Sequence, residues 1–150
     1  MAMNKNIKPL GKGFVSETGS IEDPTLASML RGYKSRVAGG YRALTKEDII
    51  TAISPGKYLV SPKVDGELWF LVMEGKDCWL GNPNGRVISG DIPLLKEAAA
   101  LSNSFHNRTV LAGELFAAGK KDRARVGDLR SAMGGGKKAD VDRLGFMAFD

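Results

Sequence analysis

The chain has 150 residues, 43% hydrophobic and 26% charged, a balance that suits one soluble domain or part of a larger protein. Cys78 is the only cysteine and His106 the only histidine, which excludes an internal disulfide and a cysteine-built zinc site and leaves a histidine-dependent mechanism little to rest on. No apolar run reaches membrane-spanning length, so no transmembrane helix is expected, and the net charge of +5 tilts weakly toward a polyanionic partner.

Residues 1–23 lack the apolar core of a signal sequence and read as a flexible segment of a cytoplasmic protein, ahead of a domain over 24–150. From Pro24 to Ile53 the pattern is mainly helical, with Leu26, Met29 and Leu30 on one face. A second helix is expected from Thr45, with Glu47 and Asp48 in its first turn, where carboxylates favour the helix dipole. The stretch "SPGK" (Ser54 to Lys57) reads as the turn that ends it. Strands are expected over Tyr58 to Val64 and Glu67 to Met73, then a hairpin turn at "EGKD" and another strand at "CWLGN". The run "GNPNGR" is dense in turn formers. Asp91 is expected to cap a helix with Pro93 in its first turn. A strand follows over Arg108 to Gly119. The polar, basic connection after it carries one short helix near Val126 to Met133, and "RLGFMAFD" closes the chain as a strand.

Short connections between strands favour antiparallel pairing, so the fold class is α+β, with antiparallel sheets and flanking helices. Leu144, Phe146, Met147 and Phe149 are assigned to a core, and Trp69 and Trp79 to strand packing. A chain ending on a buried strand is expected to be the front part of a longer protein. The run "GGGKK" fails the phosphate-loop pattern, since Ser131 stands where the first glycine belongs and Lys138 where Ser or Thr belongs. It reads as a mobile basic loop.

Two strand segments each hold one isolated charge. Alternation puts Ser61, Lys63 and Asp65 on one face, and Glu114 is a single carboxylate within "TVLAGELFAA". One reading has Lys63 and Glu114 facing solvent or forming a structural ion pair. The other has them lining a cleft, where a desolvated lysine becomes a nucleophile, Asp65 orients it and Gly66 admits a close approach. Both stay open on the residues alone.

The segment "KVDGEL" (Lys63 to Leu68) resembles the Lys-x-Asp-Gly motif of the covalent nucleotidyltransferases: ATP-dependent DNA ligases, RNA ligases and mRNA capping enzymes. "NPNGRVISGDIPLLKEA" resembles the family's Asn-Gly segment that leads into a helix, "LAGELF" its Gly-Glu-hydrophobic motif, and "FMAFD" the aromatic-Asp motif that follows. The four segments occur in family order and cover roughly Tyr58 to the end. The resemblance implies an ATP-grasp-like adenylation domain, incomplete at its C-terminus. It implies that Lys63 attacks the α-phosphorus of ATP and becomes a lysyl-adenylate, with Asp65 supporting the sugar and later steps. Val64 and Gly66 would bind nucleotide, and Glu114 would contact the ribose or help hold a divalent metal. Phe149 would stack on the adenine, with Phe146 as a second candidate. The adenylate would pass to a nucleic-acid 5′-phosphate for strand joining.

ATP and Mg²⁺ are the expected cofactors, nicked DNA or RNA the expected partner, and a monomer the expected state. Arg86, Lys120, Lys121, Arg123 and Arg125 are the expected nucleic-acid contacts. An RNA ligase of the same chemistry and a catalytically inactive nucleic-acid-binding relative are the alternatives. Three positions depart from the family's habit: Leu68 and Pro83 stand near places that often carry basic residues, and Ser61 near one that is often acidic.

Overall fold

The computed structural model describes residues 6–37, 40–53, 56–58, 60–102, 107–119 and 125–150. Seven strands form one sheet: β1 Lys8–Leu10, β2 Gly13–Val15, β3 Glu67–Glu74, β4 Asp77–Gly81, β5 Val87–Gly90, β6 Thr109–Ala117 and β7 Leu144–Ala148. The order is β1-β2-β5-β4-β3-β6-β7, and every neighbouring pair is antiparallel. Four helices complete it: α1 Pro24–Val37, α2 Lys46–Ala52, α3 Pro93–Leu101 and α4 Val126–Met133. This is an α+β fold. Among the described residues no helix is long and apolar enough to cross a membrane.

The continuous apolar run of β3 follows from its central place, because both of its faces are covered. Trp69, Leu71 and Met73 pack on one face with Leu95 and Ala98 of α3 and Leu129 and Ala132 of α4. Phe70 and Val72 pack on the other with Leu26, Leu30 and Tyr33 of α1, and Trp79 joins them there. The Tyr33 ring meets Phe70 edge-on, with centroids 5.2 Å apart. Both tryptophans are core residues, as their strand positions implied.

Several expectations hold in detail. The β3–β4 hairpin turns on Gly75 and Lys76, with Glu74 opposite Asp77. Thr45 caps α2: its hydroxyl accepts from the Asp48 N–H at 3.2 Å, and the Asp48 carboxylate accepts from the Thr45 N–H at 3.2 Å. Helix α4 lies where the sequence put it, at Val126–Met133.

Others are corrected. The strand expected over Tyr58 to Val64 is not formed; the described residues there are unpaired chain, and Val60 is 91% exposed. Alternation was present in the sequence, but among the described residues no strand lies alongside to take its hydrogen bonds. Inside the segment read as flexible, Lys8–Leu10 and Gly13–Val15 form a hairpin that joins the sheet through β5. β5 follows the run of turn formers directly and was not expected as a strand. Ile92, not Asp91, is the N-cap of α3, without a side-chain cap; Asp91 pairs with Lys96 at 2.6 Å instead. Gly136–Lys138 form a single 3-10 turn, and the Gly136 carbonyl accepts from the Gly11 N–H at 2.8 Å, so the glycine run packs against β1. Leu144 is buried and Phe146 and Met147 half-buried, but Phe149 is 51% exposed. Ser54 and Pro55 of the expected turn lie outside the described residues.

Candidate functional site

A cavity of about 610 Å³ opens at one end of the sheet, on the α1 side. Its floor runs across three adjacent strands. Glu114 of β6 stands opposite Leu68 of β3, and Asn82 follows Gly81, the last residue of β4. Tyr33, Lys34 and Val37 of α1 form a wall, joined by Tyr41 and Phe149. Each of the four segments singled out in the sequence contributes: Gly66, Asn82 with its two successors, Glu114, and Phe149. They are brought together from positions 66 to 149 by strand pairing alone.

Gly66 shows why a glycine is needed at the head of β3. A Cβ there would collide with the Leu115 carbonyl on the neighbouring strand. The Gly66 N–H donates to Glu114 Oε1 at 3.0 Å. That bond fixes one carboxylate oxygen and explains the isolated charge within an apolar strand: Glu114 faces the cavity, is half-buried, and secures the start of β3. It makes no ion pair with Lys63, so the reading of a structural Lys63–Glu114 pair fails.

Lys63 is exposed, and Val64 and Asp65 are half-buried. None of the three lines the cavity. The desolvated lysine of the cleft reading is therefore not the arrangement present; Lys63 faces solvent, as the other reading had it. Lys63 lies three residues before Gly66, so its Cα is within about 11 Å of that pinned glycine.

The turn after β4, expected from the run "GNPNGR", is built by Asn82, which the sequence reading did not single out as a site residue. Its Oδ1 accepts from the N–H groups of Asn84 at 3.0 Å and Arg86 at 2.9 Å, and its carbonyl accepts from Gly85. An asparagine ahead of Pro-Asn-Gly is the signal for such a turn. The side chain of Arg86 is half-buried and does not line the cavity.

The two aromatic candidates separate. Phe149 lines the cavity, held by its N–H donating to the Ala112 carbonyl at 2.9 Å. Phe146 faces the α3/α4 side, where its ring lies over Gly113; a Cβ at Gly113 would also come within 2.5 Å of the Met147 carbonyl oxygen. Phe146 is thus a core residue, and the glycine of "LAGELF" makes room for it. Behind Phe149, the Tyr33 hydroxyl donates to Asp150 Oδ2 at 2.8 Å. Burial, then the neighbouring Asp150 carboxylate, pushes the Tyr33 phenol well above the usual tyrosine range.

Arg125 is exposed at the start of α4, where its N–H donates to Asp128. Lys120, Lys121 and Arg123 lie outside the described residues. Among the described residues no cluster of three or more His, Cys, Asp or Glu side chains could hold a metal unaided. Of the two glutamates at the cavity, Glu114 faces it with its carboxylate, whereas the Glu67 carboxylate accepts from Trp69 Nε1 at 3.4 Å, on the α3/α4 side of β3. A single carboxylate still fits an ion such as Mg²⁺, which keeps its waters and is completed by substrate phosphates. Comparison of the chain with family models, with curated proteins and with solved structures finds no match in any of the three.

Proposed function

We propose that this chain carries the nucleotide-binding part of a covalent nucleotidyltransferase, an ATP-dependent polynucleotide ligase acting on DNA. The observation that carries the reading is the convergence of Gly66, Asn82, Glu114 and Phe149 on one cavity. Four segments picked for one resemblance had no need to meet, and they do.

In this reading the adenine lies against Phe149, and Glu114 accepts from the ribose with the oxygen that Gly66 leaves free. Lys63, reaching in from the unpaired chain ahead of β3, attacks the α-phosphorus through its amine nitrogen, which gives up a proton to water. The N–P bond forms, the bond to the pyrophosphate oxygen breaks, and pyrophosphate leaves. Asp65 is the nearest carboxylate in sequence to orient the amine. The AMP then passes to a 5′-phosphate, and a 3′-hydroxyl displaces it to join the strands. Mg²⁺, held through Glu114 and the phosphates, would supply charge neutralisation at the phosphoryl oxygens.

A binding module without catalysis is the second reading, favoured by the exposed place of Lys63 and by Leu68 and Pro83 among the lining residues. Intact-mass analysis after incubation with ATP and Mg²⁺ tests the first. One added adenylate, lost in Lys63→Ala, is the expected result; no adduct in either protein moves the assignment to the second reading. Nicked DNA and nicked RNA run in parallel then assign the substrate, and sealing of the RNA alone would overturn DNA.

A further inference from the structure

Asn82 is a polar side chain, 9% exposed, with one half of its carboxamide fully used and the other open. Two backbone N–H groups, of Asn84 and Arg86, point at the same side-chain atom. Only the oxygen can accept them, so the orientation of the amide is fixed by its partners and the NH₂ faces away from the turn. Asn82 lines the cavity, and its NH₂ has no acceptor among the described residues. The side chain is mostly buried, its NH₂ meets solvent at the cavity, and a donor held rigidly there is placed to bond a ligand acceptor.

Lys34 gives the cavity its polarity. It is the one cation among the lining residues, against the Glu114 carboxylate. It lies in the last turn of α1, a helix without a single acidic residue, and no carboxylate among the described residues pairs with it. Lys34 is exposed, whereas Asn82 is not. A hydrated ammonium at the rim suits a charged, partly solvated group. A buried amide suits a neutral acceptor inside.

We infer that Asn82 and Lys34 are ligand-binding residues that divide the ligand between them. Asn82 Nδ2 donates to an acceptor of the nucleoside, and Lys34 Nζ meets the phosphate at the mouth. The inference rests on the nucleotide reading given above and adds two contacts to it.

Calorimetric titration of the 150-residue chain with AMP and with adenosine separates the two roles. Asn82→Asp keeps an oxygen for the Asn84 and Arg86 amides while replacing the donor. It is expected to weaken adenosine by about tenfold or more, and AMP further because the new carboxylate repels the phosphate, with an unchanged melting temperature. Asn82→Ser, whose hydroxyl also accepts from the turn and adds no charge, guards against a folding defect in the aspartate variant and is expected to weaken adenosine and AMP alike. Lys34→Met keeps length and removes charge, so AMP weakens by about tenfold and adenosine does not change. Wild-type adenosine affinity in a folded Asn82→Asp or Asn82→Ser overturns the role of Asn82. Wild-type AMP affinity in Lys34→Met overturns that of Lys34. A wild-type chain that binds neither compound overturns the nucleotide reading itself, and the inference with it.

Discussion

Lys63 and Gly66 stand three residues apart and live under different constraints. Lys63 is exposed, on chain that pairs with no strand. Gly66 is bonded to the Glu114 carboxylate and sits so close to the Leu115 carbonyl that no side chain fits. One short motif thus crosses from free chain into the sheet. The pinned end decides where the free end can reach, and the free end keeps its reactive group out of the packing. Substitutions at the two places should therefore fail differently: chemistry is lost at 63, and fold at 66.

The largest effect expected is at Lys63. Lys63→Ala should abolish adenylate capture completely in the intact-mass assay while leaving the urea midpoint unchanged, because an exposed side chain away from caps and packing contributes within about 0.5 kcal/mol. A drop in stability would mean that Lys63 has a structural partner and that the two ends of the motif are not separate. Gly66→Ala should do the reverse in kind. Forcing a methyl against backbone costs about 1–3 kcal/mol. A shift of several degrees in melting temperature would report it in a chain of this size. An unshifted melting temperature would show that β3 can slide away from Leu115, and the idea of a pinned end would fall.

These two positions also show what the sequence could and could not reveal. Gly66 and Glu114 were legible because each broke a local rule, a glycine at a strand head and a charge in an apolar run, and broken rules mark close approach and cavities. The buried strand β3 and helix α4 were legible from apolar runs and periodicity. The segment Tyr58 to Val64 misled for a physical reason: alternation says which residues share a face, not whether a neighbouring strand exists to pair with. β1, β2 and β5 misled in the opposite direction. They are three or four residues long and carry proline (β1) or glycine (β2 and β5), so their strand character comes from pairing rather than propensity. Asn82 was missed because its value is a hydrogen-bond pattern within a turn, which a reading for charge and nucleophiles does not seek.

Glu114 joins the two regions, since one carboxylate both secures β3 and faces the cavity. Glu114→Gln keeps a carbonyl oxygen for the Gly66 N–H and removes the charge. Nucleotide binding measured by calorimetry should weaken by about 10- to 100-fold, the loss expected for a charged hydrogen bond, with stability nearly unchanged. Glu114→Ala should add a stability loss of about 1–3 kcal/mol in urea unfolding, because the Gly66 amide loses its partner. Equal stability loss in both variants would mean that the charge itself supports the fold, and the division between wall and chemistry would need redrawing.

The smallest effect is expected at Tyr33, a wall residue that holds the segment behind Phe149 through Asp150. Tyr33→Phe keeps the edge contact with Phe70 and removes one hydrogen bond, for a cost of about 0.5–1.5 kcal/mol. Its pH dependence identifies it. Burial and the Asp150 carboxylate raise the phenol's pKa in the folded chain above its unfolded value. The contribution is therefore complete below pH about 10, and it declines above that as the unfolded chain gives up its proton first. Urea unfolding of wild type and Tyr33→Phe at pH 8 and again at pH 10.5 should show the gap between them narrowing at the higher value. A constant gap would mean that the hydroxyl acts by packing alone. The anchoring of Phe149 would then rest on its backbone bond to Ala112, and the cavity wall would be held from β6 rather than from α1.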